Sequence, residues 1–255
     1  MKRVNLQPAY VLHRRSYRES SFLIELFTPE HGRLTVVARG ARKSRSASPG
    51  LLQPFVPLLV SFAGKGELMA LSHAEAHGMM RQLRGECLFA GFYLNELLMC
   101  LLQKWDSHPG LYAAYENAVA ALFDGPLQQK VLRSFEKCLL EEIGYGLLPK
   151  SENSLHNTFS PDQFYRFMPE HGFVLCEPGG YRESGRTPDG KRVTQGNIFS
   201  GKSLIAIAKD DWQDETCLQD AKRLTRFVLA PLLGSRPIYS RRLFMQLDEE
   251  KQNEE

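Results

Sequence analysis

The sequence predicts a multidomain α+β chain, with an N-terminal five-stranded barrel followed by an all-α region that carries a small, irregular β-hairpin insertion. Three observations predict it. Between Ala9 and Glu75, short β-type apolar runs alternate with turn residues and no helical stretch intervenes. From Leu83 the apolar spacing becomes that of amphipathic helices. Between residues 149 and 199 both patterns give way to Ser, Asn, Pro, Gly and charge.

The strands come first. Tyr10–Arg14 is followed by Phe22–Thr28, then by a turn at Pro29-Glu30-His31-Gly32 and the run Arg33–Ala38, a hairpin pattern. Phe55–Phe62, the turn Ala63–Gly66 and Glu67–Glu75 read as a second hairpin, and Pro57 puts its strand at an edge or bulge. Five short strands in so few residues suggest an OB-fold barrel that could bind nucleic acid, although an SH3-like barrel would leave the same pattern.

The helices follow. Leu88, Phe89, Phe92, Tyr93, Leu97, Leu98, Leu101 and Leu102 make a broad apolar face, and His108-Pro109-Gly110 ends that helix. Leu111–Phe123 and Leu127–Ile143 read as two more, separated by Gly125-Pro126. Phe164–Phe167 and Gly172–Cys176 form the inserted hairpin. Helical spacing returns at Ser203–Lys209, Thr216–Leu233 and Arg241–Leu247. The expected organisation is a barrel domain over 1–80, a helical domain over 81–247 with its insertion at about 149–199, and a frayed acidic tail over 248–255.

Composition excludes several classes. No run of about 18 apolar residues appears, and Met1-Lys2-Arg3 leads to Gln7-Pro8 rather than to a signal-peptide core, so an unexported, cytoplasmic protein is expected. The five cysteines are odd in number, widely spread and without a CxxC pair, which suggests neither a disulfide framework nor a thiolate metal site. Charge is uneven. Residues 1–80 hold 11 Lys+Arg against 5 Asp+Glu, a net of +6, and the remainder holds 21 against 24, a net of −3. A polyanion would be drawn to the first third of the chain.

Two motifs invite enzymatic readings. Gly196–Ser203 satisfies GxxxxGK[ST], but Arg186–Gln195 before it is polar rather than a buried strand, so Ser200 is expected to cap a helix instead of opening a phosphate loop around Lys202. His73, Glu75 and His77 have the order HxExH within a strand, not the HExxH of a zinc helix. No catalytic constellation, metal site or cofactor is expected, and the chain reads as a binding protein rather than an enzyme.

The segment Arg39-Gly40-Ala41-Arg42-Lys43-Ser44-Arg45 concentrates four cations directly after a strand, followed by small polar residues. It is expected to project as a flexible loop that follows a phosphate backbone. Tyr10, Tyr17, Phe22 and Phe27 could stack bases nearby, although aromatics in a small barrel more often belong to the core.

Taken in order, Val11–Leu23 with its His13-Arg14-Arg15 and Arg18-Glu19-Ser20-Ser21-Phe22, then Phe27–Arg33, Ala38–Arg42 and Leu52–Phe55, resemble the bacterial RecO recombination mediators. Tyr93–Leu98, Arg133–Glu136, Ile143–Gly146, Lys222–Arg226 and Ser240–Phe244 extend the resemblance over nearly the whole chain. It implies an OB-fold, a helical domain and a non-enzymatic role in DNA repair: binding single- and double-stranded DNA, annealing strands, and acting with RecR, often RecF, to load RecA onto DNA coated by single-stranded DNA-binding protein. Nucleoid association follows from that role. Phosphates are then expected at Arg33, Arg39, Arg42, Lys43, Arg45 and Lys65, with Lys222, Arg223, Arg226, Arg241 and Arg242 extending the track. The resemblance also implies that an acidic, Phe-ended tail of single-stranded DNA-binding protein enters an apolar groove, meeting Arg133 with its terminal carboxylate and Lys137 with its acidic residues. Many members carry a four-cysteine zinc site at the equivalent of residues 150–185. Only Cys176 stands there, so zinc is not expected. The rival readings are a protein–protein adaptor that holds DNA weakly and, against the sequence context, an enzyme using Lys202.

Overall fold

A computed structural model of the chain describes residues 2–42, 50–146, 148–149, 154–155, 158–169, 171–176 and 197–244. Five strands open it: β1 (Lys2–Tyr17), β2 (Ser21–Thr28), β3 (Gly32–Ala38), β4 (Leu58–Gly64) and β5 (Leu68–Ala76). They form a closed barrel in the order β1-β2-β3-β5-β4. β1 makes closure possible because one long strand pairs with two partners, with β4 over Lys2–Ala9 and with β2 over Tyr10–Tyr17. Irregularities between Val4 and Gln7 and between Val11 and His13 bend it. At the first of these, Leu6 takes φ 46 and its N–H donates to Ser61 Oγ at 3.0 Å. A short parallel pairing of Thr35, Val36 and Val37 with Leu68, Met69 and Ala70 completes the ring. Pro57 lies just before β4, where its missing N–H interrupts no ladder.

The interior follows the two-residue period of the strands. Ala9 and Val11, Ile24 and Leu26, Leu34, Val36 and Ala38, and Leu58, Val60 and Phe62 converge with Met69 in one core. The intervening Tyr10 and Phe27 are also buried, because α1 (Gly85–Leu101) and α2 (Pro109–Phe123) cover that outer face. Tyr10 and Phe27 meet Tyr112 and Tyr115 with ring centroids 5.2–6.0 Å apart. Tyr115 donates to Asn95 Oδ1 at 2.6 Å, and Asn95 Nδ2 donates to the Leu12 carbonyl at 2.9 Å, so the buried polar groups are paired. Gly91 on α1 leaves room for the Phe55 ring, which a Cβ there would approach to 2.8 Å.

The chain divides into two compact units. The first holds the barrel, α1, α2 and the returning segment from Arg236, and the second holds residues 129–235. α1 and α2, expected to open the helical domain, therefore cluster with the barrel. In the second unit, α3 (Gln129–Glu142) packs on α5 (Glu215–Leu233), and a three-stranded sheet of order β7-β6-β8 supports α4 (Gly201–Ala208). β6 (Phe164–Met168) and β7 (Gly172–Leu175) are the expected hairpin, whereas β8 (Ile198–Ser200) was not foreseen. Among the described residues no helix is long and apolar enough to cross a membrane.

Candidate nucleic-acid interface

The register of the barrel sorts its cations between two ends. At one end the β1–β2 turn lies beside the end of β3, since Tyr17 pairs with Ser21 and Phe22 with Ala38. Arg15, Arg18, Arg39 and Arg42 gather there, all exposed. The 39–42 segment is tied down: Ala41 joins the barrel core, Arg42 N–H donates to the Ser20 carbonyl at 3.0 Å, and the Arg42 guanidinium donates to the Arg18 carbonyl at 3.2 Å. This corrects the expectation of a free loop for that stretch. Lys43 and Arg45 lie outside the described residues. Arg14 donates to the Leu52 carbonyl at 2.9 Å and lies 4.5 Å over the Phe22 ring, so Phe22 serves as a platform for a cation. Tyr17 likewise lies under Arg18, while Tyr10 and Phe27 are core residues and out of reach of bases. The sequence reading missed Arg15 and Arg18, whose closeness to Arg39 and Arg42 emerges only from strand register.

Arg33 and Lys65 stand at the other end, where β4 turns into β5 and Lys2 pairs with Gly64. The seven residues of β3, at about 3.3 Å each, put the two ends roughly 20 Å apart. The expected basic patch is therefore two patches. Arg33, expected to bind phosphate, pairs with Glu25 on the neighbouring strand at 3.6 Å, and its side chain is only 17% exposed. The segment after α1 crosses this end. Lys104 bridges to Gly32 and Arg33, and Trp105 N–H donates to the Arg33 carbonyl at 2.9 Å. That approach requires glycine at position 32, where φ is +57 and a Cβ would sit 1.6 Å from the Asp106 oxygen. His31 beside Trp105 has its pKa lowered, first by burial and then by the Lys2 ammonium.

The returning segment places Arg241 over Tyr93 and Arg242 over Tyr239. In the second unit, Lys222 and Arg226 are exposed on α5. Arg223, expected in the same track, donates to Asp220 at 2.6 Å and to the Ile198 carbonyl at 2.9 Å, joining α5 to β8. Arg133 is buried between α3 and α5, 2.9 Å from Glu136 and donating to Thr225 Oγ1 at 3.3 Å, with its Nε left unpaired. Lys137, one turn on, donates at 2.8 Å to both the Ala208 carbonyl and Asp210. It rims a shallow apolar groove lined by Leu140, Tyr145, Leu148, Ile207 and Leu224.

Residues 1–80 match the family model described as Recombination protein O N terminal, and residues 83–242 the model described as Recombination protein O C terminal. The chain is 43% identical over 242 residues to the DNA repair protein RecO of Coxiella burnetii, covering 95% of this chain and 98% of the relative. To that of Dechloromonas aromatica it is 40% identical over 250 residues, 97% and 98% of the two chains, and to that of Nitrosococcus oceani 42% over 245 residues, 96% and 94%. The chain belongs to the RecO family. The RecO models meet between residues 80 and 83, inside the first compact unit.

A four-thiolate zinc site of the RecO type does not fit this chain. Cys176 has no cysteine companion in residues 150–185, so a four-thiolate ligand set cannot be assembled there. Aromatic rings fill that role instead: Phe159 meets Tyr165 and Phe173, and Phe167 meets Phe173 and Phe227, with centroids 5.0–5.7 Å apart. The GxxxxGK[ST] match also resolves locally. Ser200 Oγ accepts from Ser203 N–H at 3.0 Å, and the amides of Gly201 and Lys202 donate to the Gln163 and Pro161 carbonyls, so these amides are engaged within the fold. Lys202 pairs with Asp214 at 3.0 Å, and His73 with Glu75 at 3.1 Å.

Proposed function

We propose that this RecO-family chain is a DNA-binding and strand-annealing mediator of recombinational repair, working in the cytoplasm on the nucleoid and helping RecA load onto DNA coated by single-stranded DNA-binding protein. The observation that carries the reading is the exposed cluster of Arg15, Arg18, Arg39 and Arg42 at one end of a closed OB-type barrel. Lys43, Arg45, Lys65, Lys222, Arg226, Arg241 and Arg242 add phosphate contacts on single and double strands, while Arg33 and Arg223 hold the protein's own carboxylates. Neutralising two strands on one surface removes the repulsion that keeps them apart, so annealing requires positioning and counterion release but no bond chemistry. The chain is accordingly not an enzyme in this reading. RecR, with RecF in support, would take part as the resemblance implies.

The groove beside Lys137 supports a second, compatible role as adaptor. An acidic, Phe-ended tail offers a ring for Leu140, Ile207 and Leu224 and charge for Lys137. Arg133 lies beneath, and a terminal carboxylate would have to compete there with Glu136.

Annealing of complementary strands coated with the cognate single-stranded DNA-binding protein, run without nucleotide, tests the reading. Acceleration by the parent chain and a loss of at least ten-fold on replacing Arg15, Arg18, Arg39 and Arg42 by alanine are expected. Equal rates with and without the protein would contradict it.

A further inference from the structure

The end of the barrel opposite the arginine cluster holds a cleft of about 380 Å³ that the phosphate-binding reading touches only through Lys65. Lys2, Lys65, Glu67, Met69 and Trp105 line it with Gly64 and Gly66, and at Gly66 the backbone is open to close approach, since nothing lies within 4 Å of where a Cβ would stand. That volume falls at the small end of ordinary ligand pockets, which begin at about 300 Å³. We propose that this cleft receives one unstacked base of single-stranded DNA, laid against the Trp105 indole, with Lys2 and Lys65 holding the flanking phosphates. The proposal rests on the DNA-binding reading above and adds a named subsite to it.

Four observations carry it. Trp105 is held in place by its own backbone: a non-glycine residue at φ 63, fixed by the N–H to the Arg33 carbonyl and by the Lys104 bridge to the Gly32 turn. Such a conformation costs on the order of 1–3 kcal/mol and persists only where the surroundings impose it. The indole leans on His31 and Phe62, with centroids 6.3 and 6.4 Å away, and these rings fix its plane. The Lys2 ammonium stands 4.7 Å over the indole, so an aromatic face and a cation already share the cleft. Two lysines against the single carboxylate of Glu67 leave the lining cationic, as a phosphodiester requires and an acidic ligand's competitor would not.

A base is the occupant this chemistry fits, because every base has a face to stack and a phosphate on either side. A duplex keeps its bases stacked and would not fill the cleft. The subsite is also roughly 20 Å from the arginine cluster along β3, a span of a few nucleotides, so one strand can reach both.

The chain has two tryptophans, Trp105 and Trp212, so Trp212→Phe leaves Trp105 as the sole reporter. Oligodeoxythymidylate is titrated into that variant at low salt, with indole emission and the anisotropy of a dye-labelled oligomer followed in parallel. Emission is expected to fall along the anisotropy isotherm, with a duplex of equal length binding but leaving emission unchanged. Lys2→Ala with Lys65→Ala, at exposed positions that leave folding intact, should weaken oligomer binding about ten-fold and abolish the quench, and Trp105→Phe should weaken it several-fold. Binding by anisotropy with constant emission and unchanged affinity of the lysine variant overturns the subsite while the DNA-binding reading stands. A quench as large with duplex, or with an acidic Phe-terminated peptide in place of the oligomer, overturns the occupant. No anisotropy change at all overturns both.

Discussion

Arg133 carries its charge into the space between α3 and α5, where its side chain is 5% exposed and Glu136 is 1% exposed. Thr225 links the pair, accepting from Arg133 and donating through Oγ1 to Glu136 at 2.6 Å. Removing one member strands the other away from water, which typically costs 3–5 kcal/mol, whereas replacing both by apolar residues is often neutral. Arg133→Met is therefore expected to lose about 3 kcal/mol in urea denaturation, and Arg133→Met with Glu136→Leu to recover most of it. A single variant as stable as the parent would show that the pair is not held as described. Such a role was not legible in the sequence, where Arg133 and Lys137, one turn apart, were expected to meet an acidic tail. Burial of a cation depends on what packs above it, and Thr225 is 92 residues away.

The elements explain what the sequence did and did not disclose. β2 and β3 were read to within a residue or so because turn residues bracket their apolar runs. The first eight residues of β1 were missed because charged and polar residues dominate them and the irregularity between Val4 and Gln7 breaks their alternation. β8 is three residues long, below what periodicity can register, and Tyr10 and Phe27 mislead because a strand covered on both faces loses its alternation. Two elements yield direct tests. Gly32→Ala forces apart the turn and the Asp106 backbone, and a loss of about 2 kcal/mol or more in thermal or urea denaturation is expected. In the small sheet, where aromatic rings stand in place of a metal, a chelator should leave the melting temperature unchanged. Phe167→Ala should lower stability by about 3 kcal/mol. A chelator-induced loss of structure would reassign what holds that sheet.

At the scale of the whole molecule, the excess of cations in residues 1–80 was visible in composition, but its division between two ends of a barrel was not. Arg39 and Arg42 stand out in the sequence as neighbours, whereas Arg15 and Arg18 join them only through the pairing of β1 with β2 and of β2 with β3. Trp105 gave no signal, since it lies between helices and meets the barrel through the Arg33 carbonyl and the rings of His31 and Phe62, more than 40 residues away in sequence. The central claim is that this surface works by exchanging counterions for phosphates. It is tested most directly by measuring single-stranded DNA affinity as a function of salt for the parent and for a variant with Arg39, Arg42, Lys43 and Arg45 all replaced by alanine. Each phosphate contact contributes about 0.7 to the slope of log K against log salt on single strands. The expected result is a strong negative slope for the parent that becomes shallower by about 3 in the variant, with affinity falling accordingly. Equal slopes and equal affinities would contradict it.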